Sequence, residues 1–296
     1  MLSFDPKEIS TKDLHQFLLG SVAPRPIAFA STMDKDGNPN IAPYSFFNAF
    51  SSNPPILVFS SNRKVADNTT KDTLHNIQET GEVVINVVNY NMVRQMTVTS
   101  VSFPPGVSEF EKAGLTPIPS DIVKPFRVKE SPAQMECKVR DIITLGNEGG
   151  AGHLIICDVV RMHISKAVID DRNRIDPHKM DLMGRMGRAY YVRASGDAVK
   201  TIVQPVMPLT IGYMELPESI RNSAILTANN LGQLAGIPSL PDAEAVGIFK
   251  NENEEITAIL KGGNPKAELH QFAKRALDDS DDRDAAIKAL LIGDRI

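Results

Sequence analysis

The run APRPIAFAST at residues 23–32, then DKDG at 34–37 and NIAPYS at 40–45, decides the fold. Pro24 and Pro26 deny a helix its donors, and Ile27 to Thr32 suit a strand. Asp34 to Gly37 is a turn in which glycine supplies a positive φ, and Asn40 to Ser45 is the return strand of a hairpin. Pro43 cannot donate to a ladder, so this strand is an edge, carries a bulge, or stops pairing early.

Working outward, residues 10–20 read as a short helix that Ser10 or Thr11 can cap and Gly20 can end. Ile56 to Ser60 is a short apolar strand after Asn53-Pro-Pro. TKDTLHNIQET at 70–80 is a helix with Leu74 and Ile77 on its inner face and Gly81 as its stop. Glu82 to Tyr90 is a β-branched, buried strand. Short helices near 91–98 and 108–113 flank a Pro-Pro-Gly turn at 104–106. Strands near 133–145 and 152–168 are joined by a glycine-rich hairpin loop at 147–152. Many strands, hairpin links and few long helices predict a mainly β protein, an antiparallel barrel with helices packed outside. GxGxxG and GxxxxGK[ST] are both missing, which removes the main support for Rossmann and P-loop readings.

Beyond residue 195 the texture changes. Helices are expected at 217–237, at 252–261, after an Asn264 cap with Pro265 as the first residue, and at 284–292. The expected division is a barrel domain at 1–200 and a mostly helical C-terminal extension at 201–296.

The 296 residues carry 32 Lys+Arg against 36 Asp+Glu, a net charge of −4, which argues against nucleic acid as a partner. No apolar run approaches the roughly 18 residues of a membrane helix, and the first ten residues lack the regions of a signal peptide. Cys137 and Cys157 have no CxxC spacing, so neither a disulfide framework nor a cysteine-rich zinc site is indicated. A cytoplasmic protein with no membrane and no metal is the expectation.

Four segments could carry chemistry. Thr70-Lys71-Asp72-Thr73, with Asn76 one turn on, opens a helix, where free N–H groups, a lysine and hydroxyls can cradle a phosphate. The same residues also read as a surface helix capped by Thr70 or Asp72. Asn40 to Asn48 sets Tyr44, Phe46 and Phe47 beside an interrupted edge, either as walls for a planar heterocycle or as an aromatic cluster at a barrel corner. His153 opens a strand beside a flexible loop, as a ligand group or a satisfied structural histidine; His163, ten residues on, would share its face. Residues 161–193 hold eight Arg/Lys against four Asp, a phosphate-attracting patch or a solvated face. With no GxSxG elbow and no zinc spacing, the chain announces no nucleophile, which suits chemistry done by a cofactor.

In wording and order, APRPIAFAST, DKDGNPNIAPYSFFNAFSSNPPILVFS and TKDTLHNIQETGEVVINVV resemble the flavin reductase-like family of FMN-binding split barrels. The resemblance runs over roughly residues 15–195 and includes Met135 to Val139, the His153 strand and GRMGRAYY at 184–191. It implies a Greek-key split β barrel that forms a homodimer, with FMN in preference to FAD. It implies NAD(P)H as electron donor and hydride transfer to flavin, with a monooxygenase or another electron-acceptor protein as a possible partner. The alternative it leaves open is a flavoredoxin-like electron carrier without turnover of its own. By this resemblance Lys71, Asp72, Thr73 and Asn76 lie at the phosphate end, with Ser31 and Thr32 along the ribityl chain or phosphate. Ala42, Pro43, Tyr44, Ser45 and Phe46 face the isoalloxazine, and Ser60 and Ser61 end a strand near the phosphate. His153 stands close to the ring as the catalytic candidate, and Arg25 and Arg188 are basic residues in family-like segments.

Overall fold

The computed structural model describes residues 1–101, 103–104, 106–204 and 209–296. The chain divides into two compact units, Met1–Lys200 and Thr201–Ile296.

In the first unit α1 (Thr11–Ser21) is capped by the Ser10 side chain, which accepts from Asp13 N, and it runs through Gly20 instead of ending there. β1 (Ala28–Met33) and β2 (Pro39–Tyr44) form the expected hairpin, with Phe29 opposite Pro43 and Ala30 opposite Ala42. Gly37 turns the chain at φ 90°. β3 (Phe47–Ser52) and β4 (Pro55–Asn62) make a second hairpin. β3 is not legible in the sequence, because every residue in it after Phe47 is exposed and no alternation marks it. α2 (Asp72–Thr80) stops at Gly81, which sits at φ 69°, and β5 (Glu82–Val87) follows.

α3 (Val93–Val98) and α4 (Glu109–Ala113) come next, then a small ribbon of β6 (Pro117–Ile118) and β7 (Arg127–Val128). The turn expected at 104–106 includes Pro105, which lies outside the described residues. The long strands are β8 (Ala133–Thr144) and β9 (Gly152–Ile164). A bulge interrupts their pairing: Glu136 faces Arg161 while Cys137 faces Val159. That extra residue breaks the two-residue alternation, so the expectation that His153 and His163 share a face fails. α5 (Pro177–Met180) leads into a hairpin of β10 (Leu182–Gly187) and β11 (Tyr190–Ala194), which the charge-rich sequence there did not reveal.

The main sheet is antiparallel, in the order β2-β1-β5-β8-β9-β4-β3. Its end strands, β2 and β3, are separated in the chain only by Ser45 and Phe46. The sheet must therefore roll until its edges meet at that link, where Ser60 N donates to the Phe46 carbonyl at 2.8 Å. Pro43 lies on an edge strand, the part of a sheet that tolerates a residue without an N–H. One face of the sheet packs Ala28, Ala30, Phe59, Ile85 and Ile155 with Leu74 and Ile77 of α2. The other packs Ile27 and Phe29 with Met92, Met96 and Phe110 from the α3–α4 region.

The second unit is helical: α6 (Glu218–Arg221), α7 (Ala228–Ala235), α8 (Ala243–Glu252), α9 (Glu254–Leu260), α10 (Pro265–Ser280) and α11 (Arg283–Gly293). The single helix expected over 217–237 is two, because Thr227 and Asn230 form a capping box that starts α7 afresh. Asn253 likewise caps α9, its side chain accepting from Ile256 N at 3.1 Å, which divides α8 from α9. Asn264 caps α10 with Pro265 first, as the sequence predicts. Leu234, Ile256, Leu269, Leu277, Ile287 and Leu290 form its core. Among the described residues no helix is long and apolar enough to cross a membrane.

Candidate functional site

The start of α2 is the most cationic point of the candidate site. Lys71 occupies the cap position, and among the described residues no side chain accepts from the first N–H groups of the helix. Neither Thr70 nor Asp72 supplies the cap that the alternative reading required. Those N–H groups and the positive end of the helix dipole are left for a ligand. The Lys71 ammonium sits 4.8 Å above the Tyr44 ring. Burial, and then the charge of Lys64, hold its pKa below the ordinary lysine value. Among the described residues neither lysine makes an ion pair.

Both lysines line a cavity of about 300 Å³ with Thr70, Asp72, Thr73, Asn40, Ile41, Ala42, Pro43, Thr99, Ser100, Val101, Phe103 and Glu109. Burial raises the Glu109 carboxyl pKa, and Asp72 adds to the rise. A smaller cavity of about 160 Å³ is lined by Ile27, Pro43, Tyr44, Ser45, Met96, Ser100, Arg185 and Tyr191. The two cavities share Pro43 and Ser100. The first offers two lysines and several hydroxyls beside Asp72 and Glu109, and the second sets Ile27, Met96 and two tyrosines beside Ser45, Ser100 and Arg185.

Two buried hydroxyls beside Thr73 await partners. Among the described residues the Tyr44 Oη and the Ser61 Oγ have no hydrogen-bond partner. Burial pushes the Tyr44 phenol up to about 12, against the opposing pull of Thr73 and Ser61. Orphaned buried hydroxyls are uncommon and cost free energy, so they are expected where a ligand completes the site.

Several expected residues are brought together here and others are not. Lys71, Asp72, Thr73, Ala42 and Pro43 line the first cavity, and Pro43, Tyr44 and Ser45 line the second. Thr32 and Asn76 brace them from behind: Asn40 Nδ2 donates to both Thr32 Oγ1 (3.0 Å) and Thr73 Oγ1 (2.9 Å), and Asn76 Nδ2 donates to Thr32 Oγ1 at 3.1 Å. Ser31 points to the opposite face of β1, where its hydroxyl donates to the Phe126 carbonyl and accepts from Asn86. Adjacent strand residues cannot share a face, which separates Ser31 from Thr32.

Ser60 Oγ donates to Asn62 at 2.8 Å, and Phe46 is more than a third exposed. His153 is buried, its Nδ1 is 3.0 Å from the Ser61 carbonyl, and it is not among the residues lining either cavity. Arg25 is buried beneath α1, where Nη1 donates to the Leu19 carbonyl at 2.7 Å. Arg188 is exposed in the β10–β11 turn at φ 46°. Sequence reasoning missed Lys64, Thr99, Ser100, Glu109 and Arg185. They come from loops, from β10 and from the first residue of α4, distant in the chain, and only the tertiary fold makes them neighbours.

A profile of the flavin reductase like domain matches residues 19–177. The chain belongs to the flavin reductase-like family. The rolled seven-stranded sheet with its outer helices is this family's split barrel, and the family is a flavin-binding one. An uncharacterized protein of Aquifex aeolicus is 40% identical over 197 residues, 66% of this chain and 97% of that protein. Among solved structures, nitrilotriacetate monooxygenase component B from Bacillus cereus is 35% identical, with a TM-score of 0.63, over 68% of this chain and 98% of its own. The Pseudomonas fluorescens 2-nitrobenzoate 2-nitroreductase is 28% identical, with a TM-score of 0.62, over 70% of this chain and 99% of its own. The helical second unit lies beyond the residues that match the flavin reductase like domain.

Proposed function

We propose that this chain binds FMN and uses NAD(P)H to reduce it. The observation that supports this most is the pair of dissimilar cavities meeting at Pro43 and Ser100. That arrangement fits a ligand with an anionic tail and a flat head that has polar edges. Lys71, Lys64, Thr70, Thr73 and the free N–H groups of α2 suit the phosphate. Ala42, Pro43, Tyr44 and Ser45 suit the ring. Bound FMN would supply a ring that accepts hydride from a nicotinamide.

The chain's part is to hold that ring, leave it open to the donor, and present fixed dipoles to the charge it gains. His153 enters as a positioning residue, because its ring fixes the Ser61 carbonyl across the β4–β9 pair. Reduced flavin, or its electrons, would pass to a monooxygenase or another acceptor protein, a role suggested by the similarity to a monooxygenase component. A homodimer would cover exposed apolar residues such as Phe50, Ile143 and Met162. A consumer of NAD(P)H would work where that pool is, in the cytoplasm.

Purified protein mixed with FMN is expected to quench flavin fluorescence with one saturable site. Under anaerobic conditions, NADH or NADPH is then expected to bleach the visible absorption of the bound flavin. Tight FMN with no bleaching by either nucleotide removes the reductase and leaves a flavin carrier; no uptake of FMN removes both.

A further inference from the structure

The smaller cavity contains a cation that the first hairpin does not supply. Arg185 lines it beside Pro43, Tyr44 and Ser45, with no carboxylate in the lining. The side chain is half-buried and makes no ion pair among the described residues. Its place is nevertheless fixed. Nη2 donates to the Arg188 carbonyl at 2.9 Å, and Cζ lies 4.6 Å from the centre of the Tyr191 ring. The Arg185 and Arg25 backbones exchange two hydrogen bonds, each 2.9 Å. Gly184 lets β10 approach so closely: a Cβ there would meet Val192 Cγ1 at 3.1 Å and Pro24 Cβ at 3.3 Å. Arg25 and Arg188, the two arginines singled out in the sequence, thus serve to hold a third.

A fixed guanidinium without a counter-charge, in a cavity that suits the flavin head, has little to stabilise while the ring is neutral. Its interaction strengthens only when the ring becomes negative. We propose that Arg185 is the electrostatic partner of the reduced flavin and sets its reduction potential upward. This rests on the FMN reading above.

The test uses FMN-loaded wild type, Arg185→Gln and Arg185→Lys. Anaerobic titration gives the midpoint potential, fluorescence quenching gives the affinity for oxidised FMN, and thermal melting checks folding. Arg185→Gln is expected to bind oxidised FMN within about threefold of wild type and reduced FMN about tenfold more weakly. For a two-electron couple that difference lowers the potential by about 30 mV. Arg185→Lys keeps the charge and is expected to recover most of the shift. FMN bound normally with an unchanged potential in Arg185→Gln overturns the proposal, as does a drop of equal size in Arg185→Lys. If wild type takes up no FMN, the fluorescence arm reports it directly, and the flavin reading itself falls first.

Discussion

The combined change Lys71→Ala and Thr73→Ala is expected to weaken FMN binding by roughly ten- to a hundredfold while leaving riboflavin binding within about twofold. Lys71 is the half-buried cation at the start of α2, and Thr73 lines the same cavity. A hydrogen bond to a charged group is worth about 1.5–3 kcal/mol. Each 1.4 kcal/mol is about tenfold in affinity, which gives the stated range. The loss stops there because Lys64 and the uncapped N–H groups of α2 remain.

Riboflavin separates this account from general damage, since it has the ring but no phosphate. Thr73 also accepts from Asn40, so the single variants belong in the same experiment. Lys71→Ala alone should show most of the effect, because it removes a charge without touching the Thr32–Asn40–Thr73 network. Isothermal titration with the two flavins is the measurement. Equal losses for both ligands would mean that the variants distort the ring site. No loss for FMN would mean that its phosphate is held elsewhere.

The contrast between Thr32 and Ser31 shows how far a sequence can be read here. The Pro24 to Gly37 stretch announces the hairpin through local chemistry, since prolines and a turn glycine act at their own positions. Pro43 narrows β2 to an edge, a bulge or an early end to pairing for the same reason, and the sheet order selects the edge. Which of two neighbouring hydroxyls joins the Asn40–Asn76 network behind the cavity is settled by the strand's register against its neighbours, and no residue in β1 encodes that alone. β3 was invisible because an exposed strand has no pattern to show.

Lys71 was legible as a helix start, but the absence of a competing cap was not. That absence depends on where the Thr70 and Asp72 side chains come to rest. Arg185 was illegible for a further reason. It is one of eight basic residues in a stretch that reads either as a phosphate-attracting patch or as a solvated face, and only the β10–β11 hairpin and the Arg25 bridge bring it to the cavity.

Glu136→Gln is expected to destabilise the barrel unit by about 3 kcal/mol near neutral pH, and to flatten its acid-unfolding limb. Glu136 is fully buried at the β8–β9 bulge. Burial by itself would raise its pKa. The N–H groups of Asp121 (2.8 Å), Ile122 (2.6 Å) and Val123 (3.1 Å), together with His163 Nε2 (2.7 Å), more than offset this. They hold the carboxyl at about 2, below its ordinary 4.5.

A carboxyl whose pKa falls on folding stabilises the native state fully above its unfolded value. That contribution is lost as pH drops from about 4.5 to about 2. A depression of that size corresponds to the quoted cost of about 3 kcal/mol. Glutamine keeps the shape but presents an NH₂ group to donors that need an acceptor, leaving buried N–H groups unsatisfied. The consequence extends along the chain. The 121–128 segment carries the Phe126 carbonyl that accepts from Ser31 and the Val128 N–H that donates to Asn86.

Urea unfolding followed by circular dichroism, repeated from pH 7 to pH 2.5, gives the stability difference. Hydrogen exchange at the 121–123 amides localises it, and these amides are expected to exchange faster in the variant at pH 7. A stability gap that stays constant down to pH 2.5 would show that Glu136 acts through packing. A gap that closes as the wild type is acidified assigns the stabilisation to its charge.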